Sequence, residues 1–107
     1  MKKLITITEI EEFNNFITKN QKVLITFVAS WCNTCKMQKE ILLELLEQLE
    51  NKIELAVADL DLLENVANEH EIKVIPTTLL IINGEVKEKG TGLLSKGKIL
   101  EKIINYI

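Results

Sequence analysis

The sequence predicts an α/β fold in one domain over residues 1–107, a central mixed five-stranded sheet flanked by four helices, and three observations carry it. Strand-like and helical periodicities alternate along the chain. Two of the strand-like runs meet at Asn83-Gly84, a connection too short for anything but an antiparallel hairpin. The hydrophobic share is 47%, including 15 Ile, 16 Leu and 6 Val, enough for one core at this length. With 27% charged residues, four Gly and one Pro, the chain is neither disordered, nor collagen-like, nor a disulfide-stapled miniprotein. A formal charge of −3 offers no global basic field to nucleic acid or to an anionic membrane. The longest nearly apolar run, 75–82, is too short to cross a bilayer.

Residues 4–8 are short and β-branched, as a strand should be. Thr8 and Glu11 match the Thr-x-x-Glu capping box, so a helix should open there with Ile10, Phe13 and Ile17 on its inner face. Residues 23–29 are almost continuously apolar, the pattern of a strand covered on both sides. From Asn33 to about Glu50 the period turns helical, with Leu42, Leu45, Leu46 and Leu49 as the stripe. A third strand follows over 53–59. Asp61 and Glu64 repeat the capping-box spacing and should start a short helix ending near His70. The hairpin strands are 77–82 and 85–89. Ser95 should cap the last helix, with Ile99, Leu100, Ile103, Ile104 and Ile107 turned inward. The order is β-α-β-α-β-α-β-β-α, and crossovers of helical length should make the first strands parallel neighbours.

The chemistry is concentrated at Trp31-Cys32-Asn33-Thr34-Cys35-Lys36. Met1, Lys2 and Lys3 could open an export signal, but Thr6, Thr8 and Glu9 break the apolar run and no small-residue cleavage site follows. A cytoplasmic location is therefore expected, and two cysteines three apart in a reducing compartment point to chemistry rather than scaffolding. At a helix start the sulfurs can approach within disulfide distance. The first faces solvent, where unpaired backbone N–H groups and the positive dipole end favour its thiolate. Cys35, one turn further in, is the buried resolving thiol. A pair of ordinary buried cysteines is the plain alternative, and it explains neither the strand-to-helix position nor the flanking Trp31.

These residues, together with Ile75-Pro76-Thr77, Asn83-Gly84-Glu85, and Gly92 followed by Leu94-Ser95-Lys96-Gly97, resemble the thioredoxin family over essentially the whole chain. The resemblance implies the thioredoxin fold and reversible dithiol–disulfide exchange with disulfide-containing protein substrates. It implies no bound cofactor beyond the Cys32–Cys35 disulfide, with electrons supplied by a partner thioredoxin reductase. It also implies a cis bond before Pro76, with Ile75 offering backbone groups to an extended substrate, and a docking rim of Trp31, Ile75, Pro76 and Gly92. From the residues alone, Pro76 would simply begin a strand through a trans bond, and Trp31 could be core filling.

Two departures from the family pattern bear on redox tuning. Gly-Pro between the cysteines is replaced by Asn33-Thr34, which removes a fixed φ and adds a hydroxyl able to donate to sulfur. The commonly buried Asp six residues before the first cysteine is Thr26, so the usual proton acceptor for Cys35 is missing. Asp59 closes the alternation Ile53, Leu55, Val57 and is the candidate replacement, its alternative being a solvated strand-end acid.

Rival readings are weaker. A glutaredoxin would not place a full β-α unit before the cysteine strand, nor Trp31 before the first cysteine. A non-catalytic docking module would not need both cysteines, Trp31 and Pro76. One Cys pair and the lone His70 cannot complete a four-ligand zinc site in one chain, though a metal bridged between two chains remains open. His70 itself is expected at a helix end. The acidic runs at Glu9, Glu11, Glu12 and at Glu44, Glu47, Glu50 are solvated helix faces, and no glycine has nucleotide-loop spacing. A monomer with no nucleic-acid or membrane partner is expected.

Overall fold

The computed structural model describes residues 3–107, so Met1 and Lys2 lie outside the described residues. The order is β1 (Ile5–Ile7), α1 (Ile10–Lys19), β2 (Lys22–Val28), α2 (Asn33–Gln48), β3 (Glu54–Asp59), α3 (Glu64–Glu69), β4 (Thr77–Ile82), β5 (Glu85–Thr91) and α4 (Lys96–Ile103). The five strands form one sheet in the order β1-β3-β2-β4-β5. β3 pairs in parallel with both β1 and β2, while β4 is antiparallel to β2 and to β5. The first three strands are thus parallel as expected, but β1 and β2 are not neighbours: β3 lies between them. A crossover sets strand direction without setting which side of the sheet the next strand joins.

The sheet divides two apolar layers, and the alternation along each strand decides which residue enters which. Leu24 and Val28, Leu55 and Val57, and Leu80 face α2 and α4, where Leu42, Leu45, Leu46, Leu49, Ile99 and Ile103 meet them. Ile25, Phe27, Ala56, Ala58, Leu79 and Ile81 face α1 and α3, packing with Phe13, Phe16, Val66 and Ala67. β2 runs through the middle, with every residue from Val23 to Val28 buried. That is why its sequence is continuously apolar instead of alternating.

Several local expectations shift. The first helix starts at Ile10 with Glu9 in the cap position and no side-chain cap. Thr8 donates instead from its backbone N–H (3.3 Å) and hydroxyl (3.2 Å) to Glu12, one residue beyond the expected Glu11. The later start turns Ile10 to solvent at 49% exposure, and Phe16 takes its place beside Phe13. At α3 the cap position is Leu63, without a side-chain cap, because the acid that serves this turn is Asp59. Its Oδ1 accepts from the N–H groups of Asp61 (2.9 Å) and Leu62 (3.2 Å). His70 is the C-cap residue of α3, its ring 6.0 Å from that of Phe13.

The hairpin turns on Asn83 (φ 51°) and Gly84 (φ 83°), both in the left-handed region that this two-residue connection requires. A register shift between Leu80 and Ile81 leaves Lys87 as an extra residue on β5, which runs two residues further than expected, to Thr91. Ile99 and Ile103 of α4 are buried and Leu100 is half-buried, but Ile104 is 60% exposed and Ile107 also lies at the surface. Ile104 keeps helical dihedrals (φ −57°, ψ −33°) and follows Leu100 on the helix flank, off the inner line of Ile99 and Ile103.

Ser95 is the N-cap of α4 and accepts from the backbone N–H of Lys98 at 3.1 Å. Ser95→Ala removes that acceptor and should lower stability by about 1 kcal/mol. Urea denaturation should show this as a lower midpoint at unchanged slope.

Candidate active site

β2 delivers the chain to the site. It ends at Val28, the backbone turns with Cys32 N–H donating to Ala29 O (3.2 Å), and α2 begins at Asn33. Cys32 is the N-cap of α2, with φ −101° and ψ 111°. Its sulfur fills the capping position that a Ser or Asp oxygen usually occupies, accepting the N–H of Cys35 at 3.2 Å. Cys32 and Cys35 form a disulfide across a Cα–Cα distance of 5.2 Å. Hydrogen bonds to a sulfur that must become anionic favour the anion, and the helix start adds its dipole. The expected Thr34 contact is present, with Oγ1 3.3 Å from Cys32 Sγ.

One expectation needs correction. Cys32 does not stand out in solvent: it is 7% exposed against 1% for Cys35. The capping geometry folds its sulfur back over the first turn of α2. Cys32 remains the more exposed sulfur of the two. Asn33, Thr34 and Lys36 are exposed around it.

Trp31 is not core filling, being 66% exposed. Its indole Nε1 donates to Asp61 Oδ2 at 3.2 Å, tying it to the turn that Asp59 braces. The Ile75–Pro76 peptide is cis, and Thr77 Oγ1 donates to Val74 O just before it. Gly92, with φ 79°, sends its N–H to Pro76 O at 2.7 Å, so those two parts of the expected rim are joined directly. Ile75 packs against the apolar cluster that contains both cysteines.

Thr26 is fully buried, on the sheet face shared by Leu24 and Val28. Its hydroxyl pairs with that of Thr78, directly opposite on β4, at 2.8 Å. Two neutral groups satisfy each other at the position where the family pattern commonly has a carboxylate. Asp59 shares a strand face with Leu55 and Val57, and its carboxylate is engaged by the turn N–H groups described above.

Three contributors escaped the sequence reading: Asp61, Thr78 and Gln38. Gln38 is fully buried. Its Nε2 donates to Leu94 O (3.0 Å) and its Oε1 accepts from Leu94 N–H (2.7 Å). A signal existed, since Gln38 falls on the stripe Cys35, Leu42, Leu45, Leu49 at helical spacing, a polar residue in a core position.

A surface cavity of about 480 Å³ lies at the other end of the sheet, lined by Lys19, Lys22, Lys52 and neighbours, with no expected site residue among them. Among the described residues, no group of three or more His, Cys, Asp or Glu is placed to hold a metal ion.

A strand-to-helix cysteine pair, already bridged, in an apolar cluster against which the residue before a cis-proline packs, defines a dithiol–disulfide exchange protein. The thioredoxin family model matches residues 4–105. A thioredoxin from Rickettsia bellii is 35% identical over 85 residues, covering 79% of this chain and 81% of its own. Mitochondrial thioredoxin 3 from Saccharomyces cerevisiae, in its oxidized form, superposes with a TM-score of 0.83 at 31% identity, covering 97% of this chain and 95% of its own. A bifunctional thioredoxin reductase/thioredoxin from Mycobacterium leprae is 28% identical over 103 residues, 96% of this chain but 22% of that longer one. The chain belongs to the thioredoxin family. It is a thiol–disulfide oxidoreductase that reduces protein disulfides, and its redox group is its own Cys32–Cys35 pair.

The site's departures from Gly-Pro and buried Asp predict a shift in redox poise. Thr26 brings no charge that would oppose a Cys32 thiolate, and the Thr34 hydroxyl lies within reach to stabilise one. Stabilising the thiolate stabilises the dithiol form and makes the couple more oxidising. The potential should be a few tens of millivolts less negative than that of the Thr26→Asp, Asn33→Gly, Thr34→Pro variant, where ~30 mV corresponds to about 1.4 kcal/mol. A glutathione redox titration of both proteins side by side measures it, and an equal or more negative wild-type value contradicts the electrostatic account.

Proposed function

We propose that Cys32 is the attacking sulfur and Cys35 the resolving one, working on protein disulfides docked along Trp31, Ile75, Pro76 and Gly92. The observation that carries this is the capping geometry: only Cys32 receives the N–H of the α2 first turn, and Cys32 is the more exposed of the two. The Cys32 thiolate attacks one sulfur of the substrate disulfide, forming a mixed disulfide and expelling the other sulfur as a thiolate that takes a proton. Cys35, deprotonated, then attacks Cys32 Sγ, and the second substrate thiolate leaves. The substrate gains two electrons and the Cys32–Cys35 pair loses two. The docking rim pairs apolar surface with backbone groups beside cis-Pro76, which suits an extended polypeptide.

Thioredoxins work with thioredoxin reductase, and such an enzyme is proposed to return the electrons here. The fusion of both activities in the mycobacterial relative supports that pairing. A monomer acting in the cytoplasm, in electron transport that maintains redox balance, fits the cysteine usage and the absence of a basic field.

Cys35→Ser should leave attack intact and abolish release, so substrates accumulate as covalent adducts on Cys32. Mass spectrometry of this variant and of Cys32→Ser checks the roles, and adducts gathering on Cys35 in the reciprocal variant would reverse them. Asp59 is proposed as the proton acceptor for Cys35, directly or through one water. Asp59→Asn keeps the oxygen that accepts from Asp61 and Leu62 but removes the charge. It should slow single-turnover reduction without lowering thermal stability. Rates unchanged across pH 6 to 9, a range bracketing the ~8.5 reference thiol pKa, would remove Asp59 from the mechanism.

A further inference from the structure

Gln38 is a polar side chain with no exposure, in a core cluster built mainly of Leu, Ile and Val together with the two cysteines. A buried amide is retained without penalty only where its donor and acceptor are both matched. Here both are spent on one residue: the amide closes a two-bond pair with the N–H and C=O of Leu94, 56 positions away in sequence. Leu94 belongs to the short connection between β5 and α4, and its backbone has no strand partner there. Its side chain is pinned too. A Cβ on Gly90 would lie 2.7 Å from Leu94 Cδ1, so β5 carries its one glycine where Leu94 rests.

The same connection forms the rim. Gly92 is bonded to Pro76 O, Leu93 is 40% exposed, and Ser95 starts α4 as its cap. Gln38 stands one turn down α2 from Cys35, on the helix that carries both cysteines. We infer that Gln38 is a positioning residue that fixes the 92–95 connection at a set distance from the cysteine pair and thereby selects polypeptide disulfides over small ones. The inference rests on the rim reading above. A peptide docking on a fixed loop does not have to order it, whereas a low-molecular-weight disulfide touches little beyond the sulfurs and gains nothing from the loop.

Gln38→Met keeps the length and volume of the side chain and removes both bonds. Pre-reduced protein, freed of reductant, is mixed with insulin or with bis(2-hydroxyethyl) disulfide, and the single-turnover rate is followed against disulfide concentration. Half-saturation by insulin should rise about fivefold, the order expected for losing one net hydrogen bond's stabilisation, with the limiting rate unchanged. The rate with the small disulfide should stay within about twofold of wild type. Hydrogen exchange should show the Leu94 amide protected in the wild type and released at least tenfold in the variant, with Ile99 unaffected. Leu93→Asp, on the exposed rim, is the companion variant. Impaired insulin reduction by Leu93→Asp but not by Gln38→Met overturns the role of Gln38 and leaves the rim. No effect of either overturns the rim and this inference with it. Equal slowing of both substrates by Gln38→Met places Gln38 behind the cysteines and also overturns it. An unprotected Leu94 amide in the wild type does so whatever the variant's fate.

Discussion

Burial of β2 on both faces is the constraint on which the rest depends. A strand covered on both sides must leave the sheet at its end, and everything reactive here is what happens at that exit. The chain emerges at Val28, turns through Ala29, and must satisfy the first free N–H groups of α2 at once. Cys32 does so with its sulfur. On the proposed roles, capping and activation of Cys32 are one interaction: the hydrogen bond that starts the helix also favours a thiolate at that sulfur. The neighbouring strands contribute from either side. β4 brings the cis-Pro76 loop to its own start, antiparallel to β2, and β3 ends beside Val28 with the turn that anchors Trp31.

Much of this was legible from residues alone because the relevant periods are strong. The unbroken apolar run of β2, the stripe of α2 and the Asn83-Gly84 turn each admit one structure, and each took it. The cap chemistry was less legible. Thr8 with Glu11 and Asp61 with Glu64 both match a capping box, yet neither box forms. Thr8 instead engages Glu12, and Asp59 braces the turn before α3 while Asp61 holds Trp31. Short polar residues near helix starts have several backbone groups within reach, and local spacing does not say which one tertiary packing will present. Ser95 was read correctly because no competing acid stands beside it. Ile107 shows the complementary failure, in which an apolar residue continues a pattern after the helix that gave the pattern meaning has stopped.

Long-range polar contacts were least accessible. The partners of Thr26 and Gln38 lie 52 and 56 positions away, on strands and connections whose register becomes known only once the sheet is assembled. Gln38 could be flagged as out of place on its stripe. What it holds could not be named from the stripe.

The Thr26–Thr78 hydroxyl pair has a consequence for how the fold responds to acid. A carboxylate buried at Thr26 would change its charge within the range where folded and unfolded chains bind protons differently, and stability would acquire a slope with pH from that position. Two hydroxyls bind and release no proton over that range, and either can serve as donor to the other. This part of the interior thus keeps the same charge from mildly acidic to mildly alkaline solution. Whatever slope stability shows with pH must then come from groups other than this pair.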